Sequence, residues 1–233
     1  MKKTIFLAGA VILAIPAFAQ NGFYLSPSVG AGIGNTKQDF FSLDPNGNKI
    51  KRTAVFSYSG SLNLGYKLNH WRLEAGIQYS TSGFKYDYLV FGNIFPDTTP
   101  NGSAEIRYRH LSIPVKVGYE IKLGNKFTLI PFAGIMTSYN LGATSVTDIP
   151  GEGKKTNSWT KEEFDYDNHR ITIWGTAALR AEYKLSNRVS VFAGPSVQYM
   201  ISNLLKSPYS NPIYNASQRN YTINLDLGVK IKL

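Results

Sequence analysis

The chain has 233 residues, 43% of them hydrophobic and 17% charged, which fits one domain of ordinary apolar content. It contains no cysteine, so disulfides, thiolate zinc sites, a lipid-anchoring cysteine and a cysteine nucleophile are excluded together. The formal charge of +10 does not point to nucleic acid, because Lys2 and Lys3 belong to a leader and the other basic residues are scattered singly, as suits a mild attraction to anionic headgroups.

Met1-Lys2-Lys3 is a positive start, Thr4 to Ile15 is apolar, and Ala17-Phe18-Ala19 offers small residues where a signal peptidase reads. Residues 1–19 are therefore expected to be a cleavable signal peptide and 20–233 the mature domain. No later stretch is apolar over the length a spanning helix needs. The rest of the chain favours β structure, with 15 Tyr, 13 Phe and 21 Gly and no long Leu/Ala/Glu/Lys stretches.

A first strand is expected around Phe23 to Gly34, with the small residues Gly30, Gly32 and Gly34 on one face. From Phe56 to Leu68 apolar residues alternate with Ser, Asn, Gly and Lys, and Trp71 to Ser80 repeats the pattern after Asn69-His70, a hairpin-sized break. Leu111 to Leu123 alternates again and turns at Gly124-Asn125-Lys126 into a strand from Phe127 to Leu141. Ile171 to Leu185, the turn Ser186-Asn187-Arg188, Val189 to Ile201 and finally Tyr221 to Leu233 complete the set. Pro114, Pro131 and Pro195 fall inside strands, where bulges or shear adjustments are expected.

Connections alternate short and long. The long ones, Gln38 to Lys51, Asp87 to Ser103, Ala143 to Asn168 and Leu204 to Gln218, are polar or Gly/Pro-rich. Short turns on one side and long loops on the other, joined by strands longer than soluble sheets use, predict an all-β fold: an eight-stranded antiparallel up-and-down transmembrane β-barrel. Some seven apolar positions on each strand cannot fit inside so narrow a barrel, so the apolar face should meet lipid. The lumen then receives Arg72, Glu74, Lys116, Glu120, Arg180, Glu182, Asp226 and Lys230, expected to pair as a charge network that plugs it.

Arg109-His110-Leu111-Ser112-Ile113-Pro114-Val115-Lys116-Val117-Gly118-Tyr119 resembles the "LEIP…KY" strand of the small outer-membrane β-barrel proteins of PorT-like or OmpX-like, porin-family type known mainly from Bacteroidetes. Phe192-Ala193-Gly194-Pro195-Ser196-Val197-Gln198-Tyr199 is similar to that family's later Gly-Pro strand. The resemblance implies an eight-stranded barrel, in one branch serving protein secretion. Leu233 stands where an aromatic last residue is usual.

Among candidate sites, His110 and Ser112 share a strand face but lack an orienting acid, and that face points inward rather than to lipid. His70, His110 and His169 have no zinc-ligand spacing, and no cofactor is expected. The loop carrying Tyr88, Phe91, Ile94 and Phe95 is apolar for an exposed segment and is a candidate contact for a protein partner or lipopolysaccharide. The expected function is that of a non-enzymatic barrel with a polar, plugged lumen, acting in envelope structure or surface interaction through its loops. A small porin or solute channel is the alternative, and a lipid-modifying enzyme a further one. Expected partners are outer-membrane lipid and the barrel-assembly machinery, and no nucleic acid.

Overall fold

The computed structural model describes residues 22–38, 52–88, 102–149, 151, 153–206 and 217–233. The expected signal peptide, most of the first, second and fourth loops, and Phe91, Ile94 and Phe95 lie outside the described residues.

Among the described residues ten strands run in chain order: β1 (Phe23–Gln38), β2 (Arg52–Leu68), β3 (Trp71–Tyr88), β4 (Gly102–Tyr119), β5 (Ile121–Lys122), β6 (Phe127–Ile149), β7 (Gly153–Ser158), β8 (Ile171–Lys184), β9 (Val189–Met200) and β10 (Gln218–Lys232). One helix, α1 (Lys161–Asp167), lies between β7 and β8. Eight of the strands form an antiparallel ring in the order β4-β3-β2-β1-β10-β9-β8-β6, closed by β6 pairing back to β4. β5 prolongs β4 beyond Glu120, and β7 folds back on the outer end of β6. Closure leaves no edge strand to be satisfied in lipid.

The period-two pattern becomes two surfaces. Leu62, Leu73, Ile77, Ile113, Val115, Ile135, Leu225 and Leu227 are exposed on the outer wall, while their chain neighbours Asn63, Arg72, Glu74, Ser112, Asn224 and Gln78 are buried. An outer wall of exposed Leu, Ile and Val is stable only against hydrocarbon, and that fixes the apolar side as the lipid side. No helix among the described residues is long and apolar enough to cross a membrane.

The turn at Asn69-His70 is as short as expected, with Asn69 at φ +56°, a left-handed conformation that Asn tolerates. Two expectations are corrected. The prolines cause no bulge: register is the same on both sides of Pro114 and Pro195, and pairing lapses only on one flank, toward β3 and β8 respectively. Each missing N–H is accommodated by a gap in one ladder while the ladder on the other flank continues, Pro114 opposite Met136 and Pro195 opposite Leu225. The register shifts sit elsewhere, between Ala54 and Ser59 and between Arg109 and His110. The third long connection is also largely ordered structure: β6 runs on to Ile149, and α1 begins in a capping box in which Thr160 Oγ1 accepts from the Glu163 N–H at 3.2 Å and Glu163 Oε2 accepts from the Thr160 N–H at 2.7 Å.

Candidate functional site: a lumen in three storeys

The inward-facing residues form storeys along the barrel axis. Nearest the short turns lies an ionic lattice. Arg72 on β3 donates from Nε to Glu120 at 2.5 Å and from Nη1 to Glu182 on β8 at 2.6 Å. Glu74, fully buried, accepts two bonds from Arg180 of β8 at 2.7 and 3.1 Å, a hydroxyl bond from Tyr24 at 3.0 Å, and stands 3.4 Å from Lys116. Lys67 pairs with Glu120, and Lys230 with Glu182. β3 and β8 are not neighbours in the ring, so the Arg72–Glu182 and Glu74–Arg180 pairs span the lumen. The Arg180 guanidinium also lies over Phe192 at 4.0 Å and Phe132 at 4.5 Å, which gives its flat faces partners while its edge is held by Glu74.

Of the eight charges singled out in the sequence, seven are thus joined. Asp226 lines the same region with Lys116 and Arg180 but makes no ion pair among the described residues. Lys67 and Tyr24 join the lattice without having been singled out. Their inward parity was readable, but which strand each meets across the barrel is set by register.

The middle storey is neutral and polar. Gln78 reaches Gln198 at 3.3 Å, and Ser112 bonds Ser138 at 2.7 Å, so Ser112 is not the partner of His110. His110 instead meets Ser82 through Nε2 at 2.8 Å and Asn140 Oδ1 through Nδ1 at 2.5 Å. Asn140 gives its amide N–H to the His169 carbonyl at 2.7 Å, so Oδ1 faces the ring. Nδ1 therefore carries the proton and Ser82 donates to Nε2. Asn220 in turn donates to Ser82 Oγ at 3.2 Å. The connectivity is that of a hydroxyl, an imidazole and an orienting amide, but all three are buried at 2% exposure or less, and the hydroxyl already bonds two side chains. Such an arrangement locks four strands together. Ser82 and Asn140 were not anticipated.

The third storey is an apolar roof. Phe84, Tyr108, Met136, Trp174 and Met200 point inward at the long-loop end, and Phe164 of α1 and Leu204 pack down on them, both with no exposed surface. Arg170 stacks over Phe164 at 4.9 Å and pairs with Asp165, whose carboxyl is held below the ordinary aspartate range by that hydrogen bond. Tyr88 is the last residue of β3, four residues beyond Phe84. Below the ionic lattice, toward the short turns, the lumen opens into a vestibule of about 610 Å³.

A family model described as "Outer membrane protein beta-barrel domain" matches residues 5–230. Among solved structures, Neisserial surface protein A is similar at 15% identity over 91% of this chain and 97% of that one, with a TM-score of 0.44. The outer membrane protein OprG from Pseudomonas aeruginosa is similar at 13% identity, 91% and 96% coverage and a TM-score of 0.48. The outer membrane protease OmpT from Escherichia coli is similar at 12% identity, 90% and 97% coverage and a TM-score of 0.48. No curated protein matches the sequence.

Proposed function

The chain belongs to the outer membrane protein β-barrel domain family, and from that premise we propose that it is a sealed, non-enzymatic barrel that holds its long loops at the cell surface, in envelope structure or surface interaction. The observation that carries this reading is the cross-lumen lattice, Arg72 to Glu182 and Glu74 to Arg180, beneath a roof of buried aromatics. Ions would have to break charge-assisted bonds and then pass Trp174 and Phe164, so the barrel is a pedestal rather than a conduit.

Export follows from cleavage after Ala19, and assembly from the barrel-assembly machinery reading the alternating last strand. The finer placement, among PorT-like barrels of Bacteroidetes type, rests on Arg109 to Tyr119 and Phe192 to Tyr199. Tyr88, Phe91, Ile94 and Phe95 are the proposed contact with lipopolysaccharide or a protein partner.

The test is conductance of the mature protein, refolded in detergent and inserted in a planar bilayer, with heat-modifiable gel migration as the check of folding. A folded, silent barrel is expected. Steady ion-selective steps would transfer the assignment to a small channel.

A further inference from the structure

The vestibule at the short-turn end is unbalanced in charge. Among its lining residues, the only carboxylates are Glu120 and Glu182, and these are already taken by Arg72, Lys67 and Lys230. Five further cations line the same space, Lys122, Lys126, Lys184, Arg188 and Lys232, and none makes an ion pair among the described residues. Three of them arise from parity: Lys122 continues the inward series of Lys116 and Glu120, Lys184 that of Arg180 and Glu182, and Lys232 that of Asp226 and Lys230.

A basic girdle on a barrel's outside is ordinarily served by lipid phosphates. These side chains instead border a concavity at the mouth of the ring. Like charges gathered in a cleft raise the local potential and concentrate counter-ions of matching valence. A volume of about 610 Å³ is of small-molecule size, with room for an anion bearing several charged groups.

We propose that this vestibule is a binding site for a small multivalent anion, one carrying several phosphoryl or carboxylate groups, presented from the periplasmic side. Lys126 and Arg188, on two neighbouring turns joined through the paired strands β6 and β8, border its rim, with Lys122, Lys184 and Lys232 supplying the wall. The floor is the Arg72 lattice, whose guanidinium is already committed to two glutamates and so positions the ligand only by its field.

The experiment is calorimetric titration of the refolded full barrel in uncharged detergent with inorganic tripolyphosphate, citrate and orthophosphate. Saturable binding of tripolyphosphate or citrate, about tenfold or more tighter than orthophosphate and weakened by salt, is expected. The tighter of the two identifies the ligand groups as phosphoryl or carboxylate. The variant Lys122→Gln/Lys126→Gln/Lys184→Gln/Arg188→Gln should lose about tenfold or more in affinity, and Lys154→Gln/Lys155→Gln, in β7 at the far end, should lose none. Absence of saturable binding, or equal binding by the fourfold variant, overturns the proposal. Should that variant fail to fold, acetylation of Lys122, Lys126 and Lys184 in the unaltered protein decides: tripolyphosphate must slow it, and unchanged rates overturn the site.

Discussion

Replacing Glu74 by Gln tests whether the ionic lattice holds the barrel together. Gln keeps the shape and one acceptor oxygen, so the Tyr24 hydroxyl or one Arg180 bond survives, but Arg180 and Lys116 both lose their counter-charge at a residue with no exposed surface. Removing one partner of a buried pair costs about 3–5 kcal/mol. A cavity of about 30 Å³ beside Lys116 and Arg180 can hold a water that solvates part of the orphaned charge, which favours the lower end, about 3 kcal/mol. Urea unfolding of the barrel refolded in vesicles, followed by tryptophan fluorescence and gel shift, measures the loss for Glu74→Gln, Arg180→Gln and the pair. The two costs should be strongly non-additive, the double variant recovering about 2 kcal/mol of their sum. A loss below about 1 kcal/mol, or simple additivity, would refute the claim that these two side chains are each other's main electrostatic support.

Three further outcomes are expected. A Cβ on Gly194 would sit 1.8 Å from the Leu179 carbonyl oxygen, so Gly194→Ala should destabilise by about 1–3 kcal/mol in the same unfolding assay, whereas Gly60→Ala, with open space around it, should change little. Phe164→Ala empties a fully buried position in the roof and should loosen α1 by about 3 kcal/mol, read as a rise of about 100-fold in protease cleavage between 151 and 170 with the barrel intact. Asp165 has its pKa depressed by Arg170, so its contribution to holding α1 is present above the ordinary aspartate pKa and is lost as pH falls through the lower folded value; cleavage of the same segment should rise below about pH 4 and not between pH 5 and 8.

Strand order, the facing of each side chain and the inward grouping of charges were legible because a half-lipid, half-lumen wall imposes strict alternation. Leu111 to Leu123 and Tyr221 to Leu233 display it without interruption. What alternation cannot convey is register across the ring. His110 was visible as an inward side chain, yet its partners Ser82 and Asn140 come from other strands, and its place opposite Asn140 is set by the β4–β6 register. The roof escaped for a different reason. Beyond the membrane the outer face no longer has to be apolar, so β6 continues past Leu141 without the pattern, and the inward aromatics Phe84, Tyr108 and Trp174 look like breaks in a polar series. The helix was legible and overlooked: Thr160 and Glu163 have capping-box spacing ahead of Phe164. Prolines misled because a missing donor can be absorbed on one flank of a strand without shifting it.

The most direct test of the central claim, a barrel with lipid outside and a sealed polar lumen inside, is spin-label accessibility along β10. The chain has no cysteine, so single Cys variants at each position from Thr222 to Leu227 can be labelled without altering the background. In bilayers, labels at Ile223, Leu225 and Leu227 should be reached by oxygen dissolved in the hydrocarbon, and labels at Thr222, Asn224 and Asp226 by neither oxygen nor a water-soluble nickel complex. The reverse alternation would mean an apolar interior and a soluble calyx, and nickel access at the even positions would mean an open, water-filled lumen.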